Sequence, residues 1–111
     1  MTVTVQVIIP AKFAENTQTT QFTSDSLTTI IDKFTATNTG AGAFAISVNL
    51  VTNGGAASAS NLITKTKILL PNEVYTFPEL VGQVLAPGGF ISTLASTPSV
   101  ITIRASGRLI T

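Results

Sequence analysis

Phe44, Ile46, Val48 and Leu50 alternate with Ala45, Ser47 and Asn49 in a run that carries no charge. Successive side chains of an extended chain point to opposite faces, so such a run buries one face and forms a β-strand. A helix would need its apolar residues three and four positions apart. The same period of two recurs near the start of the chain. There Val3, Val5, Val7 and Ile9 alternate with Thr2, Thr4 and Gln6 as far as Pro10, where the strand is expected to end.

Between these runs the chain is punctuated. Thr39-Gly40-Ala41-Gly42, Asn53-Gly54-Gly55, Pro71-Asn72-Glu73 and Pro87-Gly88-Gly89 are turn sequences, because Pro fixes φ and Gly and Asn tolerate left-handed backbone. Strands are expected at Gln18–Thr23, Ile30–Asn38, Phe44–Val51, Asn61–Leu70, Val74–Phe77, Phe90–Leu94, Val100–Ala105 and Arg108–Ile110. Ile30–Asn38 and Phe44–Val51, joined by a glycine-containing loop, are expected to form a hairpin. Pro78–Leu85 reads as one short helical turn, with Leu80, Val81, Val84 and Leu85 on one face. On the strand at Asn61–Leu70, Lys65 and Lys67 share a face opposite Thr64, Thr66 and Ile68. About eight short strands at this spacing predict an all-β fold, a single β-sandwich over residues 1–111 of Ig-like or jelly-roll-like form. Residues 1–26 read as an N-terminal strand and arm.

The residues that are missing narrow the chemistry. Among 111 residues there is no Cys, His or Trp, which removes disulfides, thiolates and the usual zinc ligand sets. The five acidic residues Glu15, Asp25, Asp32, Glu73 and Glu79 show no spacing that pairs two of them for acid–base catalysis. Gly54-Gly55 and Gly88-Gly89 lack the Lys-Ser/Thr of a phosphate loop. Adjacent Asp32 and Lys33 are expected on opposite strand faces. No catalytic, metal or cofactor site is expected. Six basic residues against five acidic give a net charge of +1, so neither nucleic acid nor an anionic membrane is an expected partner. The uncharged stretches Phe34–Thr64 and Leu80–Ile103 are broken by polar residues, and Met1–Val5 carries no basic residue ahead of an apolar core, so no membrane span or secretion signal is expected.

What remains is an imbalance. Charged residues make up 10% of the chain, with 44% hydrophobic residues and a mean hydropathy of +0.47, where a soluble domain carries about 25% charged residues. Apolar surface that charge cannot cover is most economically buried against other subunits, and a homo-oligomer is expected, a trimer before other rings. Val3, Val5, Val7 and Ile9 form the candidate assembly strand. The segment between Pro10 and Ile30 is long enough to hand that strand to a neighbour, so exchange between chains is expected.

Asp32-Lys33-Phe34-Thr35-Ala36-Thr37-Asn38-Thr39 followed by Phe44-Ala45-Ile46-Ser47-Val48-Asn49-Leu50-Val51 resembles an Ig-like strand-turn-strand. Together with Leu70–Leu80 and Ile103–Gly107, the stretch from Asp32 to Gly107 resembles small virion structural proteins of tailed bacteriophages. The resemblance implies a non-catalytic virion component made in the host cytoplasm. Its most specific form is a capsid decoration protein that contacts itself and the major capsid protein. The alternatives are a neck, tail or fibre component, or a receptor- or carbohydrate-binding module; a module of that last kind stacks sugars on aromatic rings, and one Tyr with no Trp offers few.

Overall fold

The computed structural model describes all of residues 1–111. Nine strands follow in order: β1 (Val3–Phe13), β2 (Thr19–Thr23), β3 (Thr28–Asn38), β4 (Phe44–Val51), β5 (Leu62–Leu69), β6 (Val74–Tyr75), β7 (Val84–Leu85), β8 (Phe90–Ala95) and β9 (Ile101–Ile110). They form two antiparallel sheets, one ordered β1-β9-β3-β6 with β7 also on β3, the other β2-β8-β4-β5. The all-β sandwich expected from the pattern is the fold. No helix is long and apolar enough to cross a membrane.

Both sheets give one face to a common core. Ile9, Ile31, Phe34, Ile101 and Ile103 come from the first sheet, and Ile46, Val48, Leu69 and Ile91 from the second; all are fully buried. Each such side chain contributes roughly 1.5–3 kcal/mol relative to exposure. Phe77 closes the core from the segment after β6, its ring edge-on to Phe34 at 4.8 Å between centroids. On the same side, Thr64 of β5 and Tyr75 of β6 both donate to the Glu79 carboxylate, at 2.5 and 2.7 Å, and Lys67 lies 4.8 Å from the Tyr75 ring centre. This network ties the edges of the two sheets together.

Several local expectations are corrected. The β3–β4 hairpin does not form, because the two strands lie in different sheets. Buried Asn38 makes the corner instead: its amide donates to the carbonyls of Gly42 and Leu69, and its Oδ1 accepts from Gly40 N–H. Pro10 does not end β1, which runs on to Phe13; at a sheet edge a residue without an N–H is tolerated. Pro78–Leu85 is not helical. Leu80 N–H bonds Phe77 O, Gln83 N–H bonds Leu80 O, Gly82 takes φ +84°, and Val84–Leu85 is strand, so Leu80 and Leu85 are buried while Val81 and Val84 face out. The one helical turn lies at Ala59–Asn61. Lys65 and Lys67 do not share a face: a bulge at Thr66, with φ +48°, sends Thr64 and Leu69 inward and leaves Ile68 exposed.

Candidate assembly surface

β1 pairs with β9 of its own chain, Val3 opposite Ile110 through Val7 opposite Ser106 and then Ile9 opposite Ala105. The strand therefore completes its own sandwich, and the expected exchange is not needed to bury Ile9. Ile8 has no partner in that register; it is a bulge, and Ile8 and Ile9 both reach the core, 4% and 0% exposed. The candidate set divides there. Ile9 belongs to the core, whereas Val3, Val5 and Val7 stand on the outer face, 48%, 79% and 40% exposed.

Residues opposite one another share a face, so the register locates their neighbours. Val5 lies beside Arg108, Arg108 beside Ile30, and Ile30 beside Val84; Val3 lies beside Ile110. An aliphatic band thus crosses four strands on the outer face of the first sheet, with exposed Val81 close to its β7 end in sequence. The only charges within it neutralise each other: Arg108 Nη2 lies 2.9 Å from Asp32 Oδ1. That hydrogen-bonded carboxylate holds the guanidinium still more firmly protonated.

A second bulge sets the rest of this face. Ile31 opposes Gly107 and Lys33 opposes Ser106, leaving Asp32 without a partner. Asp32 and Lys33 both turn outward, against the expectation of opposite faces: Asp32 reaches Arg108, and Lys33 joins Thr35, Arg104 and Ser106 around a hollow of about 280 Å³. Neither Lys33 nor Arg104 has an acidic partner. Sequence reasoning missed Ile30, Val84 and Ile110 as surface residues. Ile30 has the same parity as Phe34 and would point inward on a regular strand; only the bulge separates them.

The outer face of the second sheet is different in kind. Gln18 donates to Ser92, and Asn49 donates to the Ser58 carbonyl and to Asn61, pinning the loop after β4 across the sheet. Two adjoining hollows of about 310 and 220 Å³ share Ser47, Thr66 and Leu94, and their walls hold amides and hydroxyls with no aromatic ring. The carboxylates lie apart, each in its own setting. Glu15 is held below the usual carboxylate range by hydrogen bonds from Gln21 and Lys12, and Glu73 accepts from Leu70 N–H.

No family model matches the chain, and no curated protein matches it. Among solved structures it is similar to a chain in "Structure of infectious bursal disease virus Gx strain", at 13% identity and a TM-score of 0.42. The similarity covers 97% of this chain and 31% of that one, so this chain spans under a third of its length.

Proposed function

We propose that this protein is a non-catalytic structural component of a virion, and most specifically a capsid decoration protein of a tailed bacteriophage. It is made in the host cytoplasm, associates with itself and docks on the shell formed by the major capsid protein. The observation that carries this reading is the aliphatic band of Val3, Val5, Val7, Ile30, Val84 and Ile110, left on the outside of a sandwich whose core is already complete. On a chain with so few charges, such a face is best covered by another protein surface. The work is mechanical: many weak contacts add up over many copies.

The test is to locate the protein on purified particles by electron microscopy and count its copies and symmetry. Ordered density over the head lattice is the expected result. Density confined to the neck, tail or fibre would move the protein within the virion, and its absence from particles would end the reading.

A further inference from the structure

The sandwich has one edge with an unguarded stretch, Val3–Val7 of β1, ahead of the Ile8 bulge, Pro10 and Lys12. Proteins usually blunt exposed sheet edges with charge, shortness, bulges or covering segments. The β5 edge carries Lys65, Lys67 and the Thr66 bulge, β2 is short, and the β3 edge is covered at its two ends by β6 and β7. β1 is long, holds no charged residue before Lys12, and is exposed at every position from Val3 to Val7.

Its backbone has a definite polarity. Thr111 N–H donates to Thr2 O at 3.0 Å, so Thr2 and Thr111 form a hydrogen-bonded pair. Pairs alternate along an antiparallel ladder, which makes Thr4–Leu109 and Gln6–Gly107 the next bonded pairs. Val3, Val5 and Val7 fall between them, so their N–H and C=O groups point away from β9. The same residues whose side chains form the aliphatic band therefore also present free backbone donors and acceptors.

We infer that two copies join by antiparallel pairing of β1 with β1, centred on Val5. The sequence Val3-Thr4-Val5-Gln6-Val7 keeps its alternation when reversed about Val5. In that register Val5 faces Val5 of the second copy, Val3 faces Val7, and Thr4 faces Gln6. Residues with outward backbone groups then oppose one another, so each such N–H meets a carbonyl. Centring on Thr4 or Gln6 also opposes outward backbone groups, but sets Val7 against Met1 or Val3 against buried Ile9. Centring on Val3 sets Val5 against Met1, so only the Val5 register pairs all three valines with valines. The outer faces then merge into one valine surface continuous through both copies. The contact is two-fold and closes on itself, so a three-fold contact uses a different surface. This inference rests on the reading that the chain assembles with itself, and it names the strand that does so.

The test uses the full chain. V5K and V5E each place like charges directly opposite one another, and each is expected to halve the mass of the wild-type oligomer in sedimentation equilibrium while the thermal melt stays cooperative. Mixing the two variants in equal amounts restores the mass, because unlike charges then meet. V5P keeps the fold, since Val5 N–H bonds nothing within the chain, and also halves the mass. The chain has no cysteine, so oxidised V5C gives a covalent dimer where T20C, on an exposed strand elsewhere, does not. An oligomer whose mass is unchanged in V5K, V5E and V5P overturns the β1 contact and leaves self-assembly standing on another surface. A wild-type chain that is monomeric at every concentration overturns the inference, and the particle experiment then decides the proposed function separately.

Discussion

Asp32 and Arg108 stand 76 positions apart in the chain, yet Arg108 Nε lies 3.0 and 3.1 Å from the two oxygens of the Asp32 carboxylate. The contact exists because the bulge in β3 turns Asp32 to the outer face. Exposed ion pairs contribute little to stability, so Asp32→Asn is expected to leave the thermal melting temperature close to that of the wild type. A large drop would mean that the ion pair, and not the backbone, holds the bulge.

Gly107 is the backbone half of that arrangement. A Cβ at this position would run into the carbonyl oxygen of Ile30, which cannot move aside without breaking the β3–β9 ladder. Gly107→Ala is expected to cost about 3 kcal/mol or more in denaturant unfolding. A loss under about 1 kcal/mol would show that the two strands lie further apart than this.

Thr66 supplies the opposite sign. Its φ of +48° is left-handed, and its N–H is held by Ser47 Oγ at 2.8 Å. A β-branched residue there carries roughly 1–2 kcal/mol of strain that glycine avoids, part of which is offset by the backbone entropy glycine loses. Thr66→Gly is expected to stabilise the protein by about 0.5–1 kcal/mol, read as a shift of the urea midpoint at constant slope. Destabilisation instead would indicate that the Thr66 side chain contributes contacts of its own.

The core gives the largest losses. Phe34→Ala removes the ring that packs on Phe77 and is expected to cost about 3–5 kcal/mol. Thr37→Ala, half-buried near the corner, should cost far less. Comparable losses at the two sites would contradict the strand phase.

Glu79 predicts a pH dependence. Burial alone would raise its pKa, but hydrogen bonds from Thr64, the backbone and Tyr75, with Lys67 nearby, outweigh burial and hold it below its ordinary value of 4.5. A group depressed in the folded state adds stability that is fully present above pH 4.5 and is lost as the pH falls through the folded value. Glu79→Gln should therefore flatten the acid limb of the stability curve below that pH and leave its shape at neutral pH unchanged. An acid limb identical to the wild type's would assign the loss to another carboxylate.

Strand positions, turns and the sandwich itself were legible because period-two alternation is a local property of the chain. Counting puts Ile46 and Val48 on the buried face, and both are fully buried. The candidate surface was only half legible, because counting fails at each bulge. Counting groups Ile9 with Val3, Val5 and Val7, but Ile8 intervenes; it groups Lys65 with Lys67, but Thr66 intervenes; and in β3 the unpaired Asp32 shifts the phase between Ile30 and Phe34. A bulge is decided by the partner strand, which the sequence does not place alongside. The β3–β4 hairpin failed for a related reason, since the Asn38 corner depends on the Leu69 carbonyl 31 positions away.

The pairing of β1 with β9 also orders events during synthesis. β1 leaves the ribosome long before its partner, and at roughly 5–20 residues per second its valines wait several seconds for β9 to exist. Of neighbouring strands only β4 and β5 pair directly, so little else can fold early and shelter it. The newborn chain thus carries its stickiest strand uncovered for most of its translation, and expression at high temperature or from fast-initiating transcripts should shift product into inclusion bodies before any loss of stability in the finished protein is measurable.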